Sequence, residues 1–387
     1  MHNARIEKLK ALLFRDRADG ALYADSGNLQ YFLDDPGCSY YRMTGTGCGR
    51  TAEERAFNGH FARTPDRILY IPLDGEPVLI VTHRKAADPV KSDIRVIPVH
   101  FVMMTHALAP FIKGRQRIAV GQSCDAFLSR MIKDIDETIN ICDGEKYGED
   151  LRMIKDEKEI EKMRVAAAFT DKAMERVVKA LIPGVTPLDV KELISRIALE
   201  HNADLSFDPG VIFVHAGAPG SDVLFSCSLD SPLREGTSIA FDYGFIIDGY
   251  CSDYGRSFYC GRNQEIREAY RVLQEAQLHL LDKIKPGMRM NICYNTLFAY
   301  LEERGWGRYL RRHANNIMGH QIGIDVHERP WTRDDEDEAV FMPGMVMCVE
   351  PKIWLPGKCY LRCEDMVLVT ESGCESLTKY DRSHFEL

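Results

Sequence analysis

The sequence predicts an α/β (α+β) protein of two domains: a smaller N-terminal α/β domain over residues 1–150 and a larger domain over 151–387 with duplicated α/β halves. Three observations carry this reading. Over the first 150 residues, short apolar runs alternate with helical stretches, the pattern of a sheet covered by helices. Beyond them, helices stop at Pro183-Gly184 and again at Pro286-Gly287, 103 residues later, and each time another helix follows. Strands bearing two acids come after each helix pair, Asp242 and Asp253 and then Glu350 and Glu364, with 108 residues between the first members. The matching offsets point to an internal duplication.

In the first domain, Ile6, Leu9, Leu12 and Leu13 mark an amphipathic helix over residues 3–19, with Gly20 as its stop. Strands are expected at Ala21–Ala24, Ile68–Pro72, Pro77–Val81, Ile94–Val99 and Arg117–Gly121. The segment Pro36 to Pro65 is rich in Gly, Arg and aromatic residues. Its GTGCG run lacks the GxGxxG spacing and an apolar strand feeding it, so a loop, as a lid, is preferred over a nucleotide site. The polar passage Asp143 to Asp150 divides the chain. Asp156 and Glu159 then form a capping box at the head of a long helix, and Thr186-Pro187 caps the next one.

Ile239 to Phe258 reads as a β-hairpin closed by Asp248-Gly249. A two-residue loop there puts Asp242 opposite Gly255 and Asp253 opposite Gly244, so the two acids are diagonal neighbours roughly 7–8 Å apart. That spacing suits two metal ions about 3.5–4 Å apart better than one. A surface hairpin with solvated acids is the ordinary alternative; the apolar setting IAFDYG argues against it, because a buried charge needs a partner. In the second half, a three-residue Pro356-Gly357-Lys358 loop pairs Leu355 with Cys359 and brings Glu350 opposite Glu364. A two-residue loop sends one of them to the other face. Arg362 shares a face with Glu364 and is expected to contact a carboxylate or substrate. Between the acid pairs, GHQIGIDVHERP carries His320, read as a ligand, and His327, read as facing substrate or supporting a ligand, with Gly323 bending a strand to bring both into one cleft. Four carboxylates and an imidazole favour manganese, cobalt, iron or zinc, and two such dications balance four carboxylates. Glu350 is expected to shuttle a proton from metal-activated hydroxide to a leaving amine, provided its other oxygen is free.

A net charge of −9 without a basic run argues against nucleic acid. No apolar run approaches the roughly 20 residues of a membrane span, and the charged N-terminus is no secretory signal. Twelve cysteines without a CxxC pair read as reduced thiols in a cytoplasmic protein, those on the acid-bearing strands as core thiols.

The motifs DYGFIIDGYCSDYGRSF, GHQIGIDVHERP, PGMVMCVEPKIW and LRCEDMVLVT resemble the pita-bread metallohydrolase family of creatinase, prolidase, aminopeptidase P and methionine aminopeptidase. LRMIKDEKEIEKMRVAAAFTDKAM and the N-terminal domain resemble the Xaa-Pro peptidase branch. The resemblance implies Asp242, Asp253, His320, Glu350 and Glu364 as ligands of two divalent ions, His327 as a substrate or carbonyl contact and Arg362 beside the metals. It also implies a homodimer. Phe225 and Asn316 stand where the branch has substrate-holding histidines, with His215 and His313 nearby as substitutes. Gly255 replaces a hydroxyl residue and is expected to loosen the geometry around Asp253. The function expected is cleavage of the N-terminal amide of short peptides, Xaa-Pro above all, by metal-bound hydroxide. The alternatives are a small-molecule relative (a C–N hydrolase such as ectoine hydrolase, or a lyase), favoured by Phe225, and a non-catalytic binding protein, which conflicts with five intact ligand positions.

Overall fold

A computed structural model describes residues 4–24, 26–35, 65–82, 94–121, 125–223 and 228–387, in two compact units, Met1–Arg152 and Met153–Leu387. In the first unit α1 (Ala4–Arg15) turns Ile6, Leu9 and Leu13 into the interior. It ends earlier than Gly20, at Arg15, and Arg17 beyond it takes the left-handed region (φ 55°). Gly20 instead opens β1 (Gly20–Ala24), where a Cβ would come within 2.7 Å of the Tyr70 ring. There follow α2 (Gly27–Leu33), β2 (Arg67–Pro72), β3 (Val78–Thr82), β4 (Arg95–Val99), α3 (Met104–Ile112), β5 (Arg117–Val120), α4 (Asp125–Ile135), β6 (Asn140–Asp143) and α5 (Glu145–Arg152). The strands form one mixed sheet in the order β4-β3-β2-β1-β5-β6. Leu22, Ile68, Ile80 and Ile118 face Leu108, Leu128 and Ile132 in its core. Most of Pro36 to Pro65, with its GTGCG run, lies outside the described residues, as does Phe225.

The second unit opens with α6 (Glu157–Lys179), whose Asp156–Glu159 capping box is formed on both sides. Thr186 and Asp189 form another at the head of α7 (Pro187–Glu200). Strands β7 (Asp204–Leu205), β8 (Gly210–His215), β9 (Thr237–Asp242), β10 (Phe245–Ile247), β11 (Tyr250–Cys251) and β12 (Ser257–Cys260) complete the first half. Helices α8 (Gln264–Leu281) and α9 (Cys293–Glu302) begin the second half. Its strands are β13 (Gly319–Gln321), β14 (Glu328–Trp331), β15 (Val346–Val349), β16 (Lys352–Leu355), β17 (Cys359–Arg362), β18 (Asp365–Val369) and β19 (Cys374–Ser376).

Each half thus presents a helix pair and then a long ladder whose tip is a hairpin. In the first, Ile247 pairs with Tyr250 across Asp248-Gly249, both at positive φ (48° and 81°), and one register runs from there through Tyr243–Tyr254 to β9 and β12. In the second, Leu355 pairs with Cys359 across the three-residue loop, and the same register carries on into β15 and β18. Gly244 has no space for a side chain, since a Cβ would sit 1.8 Å from the Ser252 carbonyl oxygen.

The two ladders are stitched together at their centres. The Glu364 amide donates to the Gly255 carbonyl at 2.9 Å, Arg362 N to Ser257 Oγ at 2.7 Å, and Tyr360 N to Ser238 Oγ at 3.2 Å. Behind the seam, buried Asp365 accepts from Arg256 at 2.6 Å and from Arg382, fixing the strand that carries Glu364.

Candidate active site

The seam between the ladders floors a cavity of about 550 Å³ lined by Asp242, Asp253, His320, His327, Glu350 and Arg362 among others. The hairpin registers account for the acids. Asp253 lies opposite Gly244 and Asp242 opposite Gly255 in the first ladder, and Glu350 lies opposite Glu364 in the second.

The histidines arrive differently from the expected bent strand. The chain reverses between His320 on β13 and the residues just before β14, with a bulge after His320. The two imidazoles end 4.4 Å apart, and Trp331 stacks on His327 at 5.2 Å. Gly323 serves the reversal by making room for Glu328, whose carboxylate would lie 2.8 Å from a Cβ there. Glu328 accepts from the amides of Ile324 and Asp325 and is held by Lys155 at 2.9 Å, so the loop carrying His327 is braced. His320 Nδ1 lies 2.9 Å from the Gln321 carbonyl, which requires that nitrogen to be the donor. Its Nε2 is left as a lone-pair donor 3.5 Å from Asp253 Oδ2.

One ligand atom each from Asp253, His320, Cys348 and Glu364 lies within 4.8 Å of the others, all buried. Asp253 Oδ1 and Glu364 Oε1 are buried without a hydrogen-bond partner among the described residues. Burial first, and then the neighbouring carboxylates, push both acids well above the usual carboxylate range. Orphaned oxygens on crowded acids are costly unless a cation meets them, and an oxygen-rich set with one imidazole fits a hard or borderline divalent ion. Burial and then Asp253 push the Cys348 thiol far up.

Asp242 and Glu350 face the same cavity, but Arg362 engages them. Its guanidinium meets Asp242, Glu350 at 2.8 Å and Glu364 at 2.6 Å. Against its burial, Lys352 and then Arg362 hold Glu350 far below the usual carboxylate range. Burial, and then His320, lower the His327 imidazole to about 4, so it is neutral at pH 7. Gly255 does not loosen this arrangement: a Cβ there would stand 2.7 Å from Arg362 Nε and 2.9 Å from Glu364 Oε2, so its bareness admits the close approach of the second ladder.

Asn316 is not among the residues lining the cavity; its amide donates to Asp334 at 2.6 Å. His313 lines it instead, with Nε2 buried and without a partner among the described residues. His215 is held between Thr237 and Ser231, each at 2.7 Å. Lys352, Arg311 and Tyr360 also line the cavity, and sequence reasoning missed them. Lys352 follows Glu350 by two residues on an extended run and should have been placed on its face.

The profile of metallopeptidase family M24 matches residues 161–371, more than half of the chain and all of the stretch that builds this cavity. The chain belongs to metallopeptidase family M24. An uncharacterized peptidase of Staphylococcus saprophyticus is 30% identical to this M24 peptidase over 98% of its length and 100% of the relative's. Among solved structures, a prolidase from Thermococcus sibiricus superposes with a TM-score of 0.81 at 25% identity, covering 100% of both chains. An Xaa-Pro dipeptidase from Bacillus anthracis gives 0.80 at 24%, covering 99% of each. The fold is therefore the pita-bread metallopeptidase domain preceded by a smaller α/β domain, and M24 enzymes depend on divalent metal.

Proposed function

We propose that this M24 peptidase removes the N-terminal residue from short peptides, with Xaa-Pro bonds as its preferred target, as a dinuclear-metal enzyme and a homodimer. The observation that carries the reading is the set of orphaned carboxylate oxygens beside the His320 imidazole, in a cavity of peptide size that Asp242 and Glu350 also line. The Xaa-Pro preference draws on the relatives described as an Xaa-Pro dipeptidase and a prolidase.

In this reading Asp242, Asp253, His320, Glu350 and Glu364 hold two divalent ions: manganese, cobalt, iron or zinc. When bound, such ions acidify water and polarise a carbonyl. Glu350, through the oxygen that Lys352 and Arg362 leave free, would take the proton of the attacking water and deliver it to the leaving amine. His327, neutral and braced by its loop, donates to the oxyanion that develops on the carbonyl. Arg362 keeps Asp242, Glu350 and Glu364 oriented toward one point.

A panel of Xaa-Pro dipeptides, Xaa-Pro tripeptides and non-proline peptides, run with manganese or cobalt added, tests this. Turnover is expected on the Xaa-Pro members, at least about tenfold faster in kcat/KM than on the others. Silence on every peptide, with turnover of cyclic amide or sulfonium compounds, would transfer the cavity to small-molecule chemistry.

A further inference from the structure

The five ligand positions expected from the sequence leave one member of the buried cluster without a role. Cys348 stands beside Asp253, His320 and Glu364, and its Sγ and one ligand atom from each of the others all lie within 4.8 Å of one another. The sheet puts it there. On β15, Cys348 pairs directly with His320 of β13 on one side and with Met366 of β18 on the other. Side chains directly opposite across an antiparallel ladder share a face, and so do residues two apart along an extended strand. His320, Cys348 and Met366 therefore project from one face of three adjacent strands, Glu364 joins them two residues before Met366, and Cys348 holds the middle row.

The other buried thiols of this unit behave differently. Cys251 donates to the Ile324 carbonyl at 3.2 Å, and Cys363 donates to Gln277 Oε1 at 3.0 Å. Cys348 is 0% exposed, and its Sγ makes no hydrogen bond among the described residues. Its companions in the cluster include Asp253 Oδ1 and Glu364 Oε1, both buried and equally without a partner among the described residues. Three donors of different softness, a thiol, an imidazole nitrogen and carboxylate oxygens, thus surround one point.

Charge leaves room for a further anion at that point. Arg362 meets Asp242, Glu350 and Glu364, and Lys352 meets Glu350. Two dications and these two side chains would supply six positive charges against four carboxylates, so a buried thiolate there would find opposite charge beside it.

We propose that Cys348 is a ligand of the ion that Asp253, His320 and Glu364 share, and that this position selects a thiophilic ion, zinc or cobalt, over manganese. Thiolate ligands favour zinc, whereas manganese is suited by carboxylate and water oxygens. Cysteine enters such a site as thiolate, and its proton passes to solvent as the ion is taken up. The inference rests on the metal reading of the cavity and is independent of the peptide specificity.

The test uses the full chain, stripped and reloaded with a single metal, wild type against Cys348→Ser. X-ray absorption at the zinc edge should show one sulfur scatterer per chain at about 2.3 Å in the wild type and none in the variant. The cobalt form should carry a thiolate-to-cobalt charge-transfer band in the near ultraviolet that the variant lacks. In competition calorimetry, Cys348→Ser should weaken zinc about ten- to a hundredfold and leave manganese unchanged, a selective loss that general damage to the fold would not give. Should Cys348→Ser fail to fold, the sulfur count of the wild type decides alone. Bound zinc without a sulfur scatterer, a sulfur signal that persists in Cys348→Ser, or equal weakening of zinc and manganese overturns the inference and leaves the metal centre intact. A wild-type chain that takes up no divalent ion overturns both.

Discussion

Asp253→Asn is expected to lower kcat/KM on the best peptide by on the order of a thousandfold or more, while the thermal midpoint of the metal-free protein stays unchanged or rises. The two halves of this result have one cause. Asp253 is 2% exposed, one of its oxygens has no hydrogen-bond partner among the described residues, and burial followed by the Asp242 charge pushes its pKa well up. Burial and Asp242 already favour the neutral acid in the metal-free protein, so a neutral amide of the same shape costs the fold little. The same change takes an anionic ligand from the proposed metal centre, whose stabilisation of the transition state is worth several kcal/mol, about tenfold in rate for each 1.4 kcal/mol. Steady-state kinetics and thermal denaturation of the chelator-treated protein check the two halves separately. A variant that loses stability and activity together would mean that Asp253 serves the fold.

The opposite pattern is expected one position after Glu364. Asp365→Ala should destabilise the protein by about 3–5 kcal/mol, because it strands buried Arg256 and half-buried Arg382 beside a small side chain. Asp365 also accepts from Thr378 at 2.8 Å, so three donors converge on it. Burial pulls its pKa up, but Arg256 and then Arg382 prevail and hold it below the usual carboxylate range. Its contribution to stability is therefore present above the unfolded pKa of about 3.9 and fades as pH falls through the folded value. Urea unfolding at neutral pH reads the loss, and the gap between wild type and variant should narrow in acid. A midpoint within experimental error of the wild type would show that the Arg256–Asp365–Arg382 cluster does not hold the seam.

The two sites differ in how far the sequence disclosed them. Short-range chemistry was the most legible: Asp248-Gly249 pointed to a two-residue turn, and at Pro356-Gly357-Lys358, where two loop lengths stood open, the three-residue loop that the acids required is the one formed. The capping boxes at Asp156 and Thr186 were equally legible, since both partners lie within one helical turn. What a register does not encode is the approach of one ladder to the other. Gly255 read as a loosened position because the Arg362 side chain that fills its space comes from more than a hundred residues away. The His320–His327 pair was foreseen and its path was not, because the Lys155–Glu328 brace that turns the chain is a tertiary contact. Arg311 and His313 joined the cavity wall through a single isolated bridge at Leu310, a feature with no periodic signature.

The claim on which the account depends is that acids and an imidazole from both halves of the second unit gather divalent ions. Elemental analysis of the purified chain, with calorimetric reloading after chelation, tests it most directly. About two equivalents of transition metal per chain are expected, with tight reloading that Asp253→Asn and His320→Ala weaken by more than a hundredfold. A wild-type chain that cleaves Xaa-Pro peptides with no divalent metal bound, and that takes none up on reloading, would contradict the account.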